Sequence, residues 1–158
     1  MTSESSLKAL AQWLGHWTTQ ATHPALPGVV VHGSAVVEWL EGERFLIHRA
    51  KNDHPDFPDA ISIIGYTDAD RIDEGSRKLQ GAQSELTMHY FDSRGVFRVY
   101  DVSAEQGIIR YSRLAPGFSQ RFTGTFADGG NTLHGRCELR RDDEHWADDL
   151  EITYQRRG

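Results

Sequence analysis

The chain holds a single cysteine, Cys137, so no internal disulfide can form. At 158 residues it is long enough to bury a core without one, and a bridge-free domain of this size points to a reducing, cytoplasmic compartment. No apolar run approaches the ~20 residues that a helix needs to cross a bilayer. The opening Met1-Thr2-Ser3-Glu4-Ser5-Ser6 also lacks the basic start and apolar stretch of a signal peptide. Positive charge is in deficit, the net charge being −6. That argues against a nucleic-acid partner, because nothing concentrates cations along a phosphate backbone. The pairs Arg140-Arg141 and Arg156-Arg157 are short, and the first adjoins Asp142, Asp143 and Glu144, as on a mixed-sign solvated surface.

Catalytic signatures are missing too. There is no Gly-x-x-x-x-Gly-Lys-Ser/Thr loop, Gly-x-Gly-x-x-Gly turn or Gly-x-Ser-x-Gly elbow. The histidines at 16, 23, 32, 48, 54, 89, 134 and 145 form neither a His-x-x-x-His nor a His-x-His pair, so no metal set is expected. Asp148 and Asp149 are adjacent and would face opposite ways on a strand. Asp149 and Glu151 share a face, which alternates with Trp146, Leu150, Ile152 and Tyr154; the carboxylates are expected in water and the apolar set inside. No catalytic residue is assigned, though His48 and His89 are conceivable ones.

What the chain does have is β-pattern. Residues 5–14 predict one short helix, capped by Ser5 or Ser6, with Leu7, Leu10, Ala11 and Leu14 on one stripe and Gly15 ending it. Ten strands are then predicted at His16–His23, Val29–Leu40, Arg44–Lys51, Ala60–Tyr66, Glu85–Phe91, Val96–Ser103, Gly107–Leu114, Phe118–Ala127, Thr132–Arg141 and His145–Arg156. Turn signals such as Pro27-Gly28, Asp92-Ser93-Arg94-Gly95 and Asp128-Gly129-Gly130 separate them. Short connections favour pairing of neighbours, and a long meander tends to close on itself. The expected fold is therefore all-β: an up-and-down antiparallel barrel of about ten strands with a short N-terminal helix, forming one domain over residues 1–158. Two longer connections, 52–59 and the acidic 67–84, read as surface loops, lids or disorder.

The hairpin around Asp92–Gly95 carries the most information. A type I turn with Gly95 left-handed in a bulge pairs Phe91 with Phe97, Tyr90 with Arg98 and Met88 with Tyr100. One face then shows Leu86, Met88, Tyr90, Arg98, Tyr100 and Val102. If that face is internal, Arg98 can bind an anion deep in a cavity, helped by Tyr90 or Tyr100. A two-residue turn would instead shift the register by one and put Arg98 outside. Tyr111, Gln120 and Phe122 are weaker candidates for the same lining, and Trp13, Trp17, Trp39 and Trp146 serve either a cavity or plain packing.

The run Leu14-Gly15-His16-Trp17 after a helix, with Thr153-Tyr154-Gln155-Arg156 on the last strand, resembles the calycin superfamily of lipocalins and fatty-acid-binding proteins. The resemblance implies a hollow barrel in which Gly15 and Trp17 open the first strand and Arg156 packs over Trp17, a structural cation–π contact at one end. The runs Asp92–Tyr100, Pro116–Phe126 and Trp146–Asp149 are similar to uncharacterised bacterial DUF1579-like proteins of the same barrel type, and this likeness covers most of the chain. Nitrobindin, a heme-binding relative, is less similar: its first strand resembles Gly-x-Trp-x-Gly-x-Gly, whereas this chain continues Thr18-Thr19-Gln20. No cofactor is implied, and heme is demoted.

The expectation is a monomeric or homodimeric binding protein for a small hydrophobic or amphipathic molecule. Its ligand-binding set is Arg98, Tyr90, Tyr100, Met88, Tyr111 and Gln120, and it has no membrane insertion. An isomerase-, cyclase- or heme-type activity in the same cavity is the alternative.

Overall fold

The computed structural model describes residues 3–66, 86–142 and 145–157. Helix α1 spans Ser3–Ala9 and tightens into a 3₁₀ turn at Leu10–Trp13. Ten strands follow: β1 (Gly15–Thr22), β2 (Val31–Trp39), β3 (Phe45–Asn52), β4 (Ala60–Tyr66), β5 (Leu86–Asp92), β6 (Phe97–Glu105), β7 (Ile108–Arg113), β8 (Ser119–Ala127), β9 (Thr132–Arg140) and β10 (Ala147–Arg156). Each pairs antiparallel with its sequence neighbours, and β1 pairs with β10, so the sheet closes into a barrel without a free edge. The acidic connection 67–84, with Asp68, Asp70, Asp73 and Glu74, lies outside the described residues, as do Asp143 and Glu144.

One expectation at the N-terminus is corrected. The helix begins at Ser3, so Ser5 and Ser6 sit within it rather than capping it. Gly15, at φ +128°, directly follows the cap residue Leu14 where the helical segment stops, and it is also the first residue of β1, opposite Val37.

Period-two alternation places side chains on the wall. In β1, Trp17, Thr19 and Ala21 are buried while His16, Thr18, Gln20 and Thr22 are exposed. Large residues fill the end of the barrel nearest the helix: Leu10, Trp17, Leu46, Ile64 and Leu133 are buried there. Toward the other end the wall carries small residues, Ala21, Ala50 and Ala60, which leave the interior hollow.

The seam between β1 and β10 is locked by one side chain. Trp17 and Arg156 are paired in register, and the guanidinium lies 4.1 Å over the indole. Arg156 also donates to the carbonyls of Leu14 (2.6 Å), Gln12 (2.9 Å) and Gly130 (3.1 Å), while Trp17 Nε1 donates to the Trp13 carbonyl at 2.9 Å. Gly15 suits this corner for two reasons. Its φ of +128° is open to glycine, and a Cβ there would stand 2.7 Å from Arg156 Nη1.

Candidate functional site

The barrel encloses a cavity of about 630 Å³ that runs from a floor at Trp13 to a mouth among the connecting loops. Helix α1 and its 3₁₀ turn close the floor end. His23, the 52–59 loop, Arg94, Phe118 and Arg141 ring the mouth. All six residues expected to bind ligand (Arg98, Tyr90, Tyr100, Met88, Tyr111 and Gln120) line this cavity.

Their placement follows from the β5–β6 hairpin. Phe91 pairs with Phe97, Tyr90 with Arg98 and Met88 with Tyr100, the register of the bulged type I turn. Gly95, at φ +86°, donates to the Asp92 carbonyl at 2.9 Å, and Asp92 N–H donates to Val96 O at 3.0 Å. Arg98 therefore faces inward, but one residue from the start of β6, so it stands in the mouth half rather than deep inside. Arg98 Nη1 donates to Gln120 Oε1 at 2.7 Å, Tyr100 donates to the same oxygen at 3.1 Å, and the guanidinium lies 5.4 Å from the Phe118 ring centre. Among the described residues no carboxylate pairs with Arg98, which lines the cavity.

Two of the neighbouring phenols, Tyr90 and Tyr100, donate to protein acceptors. Tyr90 donates to Asp92 Oδ2 at 2.7 Å, and Asp92 is gripped by Arg94 at 2.7 Å. Burial opposes ionisation of Asp92, yet the hydrogen bonds from Arg94 and Tyr90 hold its carboxyl well below the usual range. Burial, and then the Asp92 acceptor, push the Tyr90 phenol upward. Tyr111 stacks on Phe122 (4.5 Å, 14°) and meets Tyr100 edge-on at 5.2 Å; burial raises its pKa well above the ordinary value.

The floor holds a cluster that sequence reasoning only grazed. His48 is buried, with Nε2 3.0 Å from the Tyr154 hydroxyl, and the Trp13 ring packs 4.8 Å from the imidazole. Desolvation lowers the His48 pKa to about 4, against a raising contribution from its own backbone hydrogen bond. It is therefore neutral at physiological pH and too weak a base to be poised for proton transfer there. Burial also pushes the Tyr154 phenol upward. His89, the other conceivable histidine, lies on the outer wall, stacked on the exposed Phe97.

A bulge in β10 overturns one further expectation. The ladder to β9 shifts register between Asp148 and Glu151, so Asp149 turns into the cavity beside Leu150 instead of facing water. Asp149 Oδ1 lies 2.6 Å from His23 Nε2, while His23 Nδ1 accepts the Ala25 N–H at 3.0 Å. With Nδ1 accepting, Nε2 carries the proton and neither nitrogen is left to act as a base. The same shift moves Trp146 outside, where Arg121 (4.1 Å) and Arg140 (5.0 Å) cover it. Of the other tryptophans, Trp13 lines the cavity, Trp17 belongs to the seam, and Trp39 packs against the core. Cys137 also lines the cavity, its thiol pushed up to about 12 by burial and the nearby Asp149.

Among the described residues no three metal-binding side chains cluster. Neither histidine on the cavity wall fits a heme iron: His48 Nε2 is engaged by Tyr154 with Trp13 against its ring, and both nitrogens of His23 are taken by Asp149 and the Ala25 N–H. No helix among the described residues is long and apolar enough to cross a membrane.

No family model matches the chain, and no curated protein matches it. Among solved structures, the crystal structure of Rv2717c from M. tuberculosis is similar, with a TM-score of 0.58 at 14% identity, covering 96% of this chain and 97% of that one. At that identity the likeness shows a shared barrel fold.

Proposed function

We propose that the chain is a binding protein that holds a small, largely apolar molecule with an anionic or polar end inside its barrel. The observation that carries this reading is Arg98: a cation without a carboxylate partner among the described residues, in the mouth of a 630 Å³ cavity whose wall is mostly apolar and aromatic. Ligand pockets combine an apolar wall with a few placed polar groups in this way. In this reading Gln120 and Tyr100 do not touch the ligand's charge; they hold the guanidinium from behind. Calycin-type, lipocalin-like or DUF1579-like kinship and a cytoplasmic monomer or homodimer belong to the same proposal. The Trp17–Arg156 corner and the lone cysteine support them.

Native mass spectrometry of the gently purified protein tests occupancy, with a discrete excess over 17.8 kDa as the expected result. Arg98→Met is expected to fold normally and lose at least ~10-fold in affinity for anionic ligands, the loss of one charge-assisted contact. Unchanged affinity would remove Arg98 from the site.

A further inference from the structure

The inner wall carries one polar row. His48 on β3, Ser62 on β4, Tyr90 on β5 and Arg98 on β6 are register partners across four consecutive strands. The row on its floor side is Leu46, Ile64, Met88 and Tyr100, and the row on its mouth side begins Ala50, Ala60. Barrel strands tilt by roughly 35–45°, so a row perpendicular to them spirals along the axis. This one climbs from the Tyr154–Trp13 floor at His48 to the mouth at Arg98.

Three members of the row have protein partners: His48 with Tyr154, Tyr90 with Asp92, and one Arg98 N–H with Gln120. Ser62 is a buried residue on the cavity wall, and among the described residues its hydroxyl makes no side-chain hydrogen bond, so it is open to a group inside the cavity. On β7, the strand next to β6, the Tyr111 hydroxyl likewise makes no side-chain hydrogen bond among the described residues, and its ring stacks on Phe122 and meets Tyr100 edge-on. An alkyl chain passing Ser62 and Tyr111 would displace water from both hydroxyls and leave them unpaired, which opposes its binding.

From this we infer that the ligand is an aromatic or heteroaromatic acid bearing hydrogen-bonding groups along one edge, not an acyl chain with a single polar head. Its carboxylate meets Arg98, its polar edge follows the row to Ser62, and its ring face lies against the Tyr111–Phe122 wall. Arg98 and Ser62 are two strand spacings apart, ~10 Å, a span that suits a two-ring scaffold substituted at both ends. The inference rests on the binding reading above and narrows it to a ligand class.

Calorimetric titration with three probes tests it: hexadecanoate, 2-naphthoate and 6-hydroxy-2-naphthoate. The expected order places the hydroxylated acid tightest, about 5- to 10-fold tighter than 2-naphthoate, the worth of one hydrogen bond. That advantage should vanish in Ser62→Ala or in Tyr111→Phe, each of which removes one hydroxyl. The wild-type comparison needs no variant, so misfolding of either substitution leaves a readable result. Hexadecanoate binding tightest, no hydroxyl advantage, or an advantage that survives both substitutions would overturn the ligand class while leaving the binding reading intact. No binding of any probe, together with no excess mass in the native spectrum, would overturn the binding reading and the ligand class with it.

Discussion

Lowering the pH should destabilise this barrel through one residue, His48. Its imidazole sits under Trp13 and against Tyr154, where desolvation holds the pKa at about 4, against 6.5 in the unfolded chain. Above pH 6.5 both states are neutral and the residue contributes no pH dependence. As the pH falls from 6.5 to 4 the unfolded chain takes up the proton first, so stability declines across that window and levels off below it. The shift corresponds to about 3 kcal/mol, a large share of the 5–15 kcal/mol of a typical domain. Urea unfolding of the wild type and of His48→Gln at intervals from pH 8 to pH 4 reads this directly. The variant loses a fixed amount from the disturbed Tyr154 contact, but it should lack about 3 kcal/mol of the acid-dependent decline. Asp92 and Glu138, which also lose stability in acid, cancel in the difference. Parallel stability curves for the two proteins would refute the assignment.

Arg156→Met should cost about 2–3 kcal/mol in urea unfolding, because it removes the contact over Trp17 and leaves the Leu14, Gln12 and Gly130 carbonyls without their donor. A change under 0.5 kcal/mol would show that the corner is decorative. Cys137 should react with a thiol-specific disulfide reagent at pH 8 only in denaturant, since the folded thiol titrates near 12. Fast labelling of the native protein would place it in a different environment.

The strand pattern was readable because each strand alternates and because glycine-rich turns mark their ends. In the Asp92–Gly95 turn, one glycine able to take φ +86° sets the register that points Arg98 inward. The floor was less legible. His48 belongs to no motif: its partners Trp13 and Tyr154 lie on other elements, and Tyr154 is 106 positions away. The one trace of the β10 bulge in the sequence is Asp148, a carboxylate on the face that Trp146, Leu150, Ile152 and Tyr154 would share in a regular strand. A single inserted residue was enough to exchange the places of Trp146 and Asp149. Ser62 looked like an ordinary strand residue, and only its register partners give it meaning.

The topology of the seam also has a kinetic consequence. Nine of the ten strand pairings join neighbours in the chain and can zip up hairpin by hairpin, whereas the tenth must bring Leu14 and Arg156 together across 142 positions. Closure is therefore the entropically costly step. A chain that has completed its meander but not its seam displays two bare edges, β1 and β10, each able to template a second molecule. Weakening the Trp17–Arg156 lock should then reveal itself during refolding first, as concentration-dependent loss of yield, before it is noticed in the melting temperature of the molecules that did close.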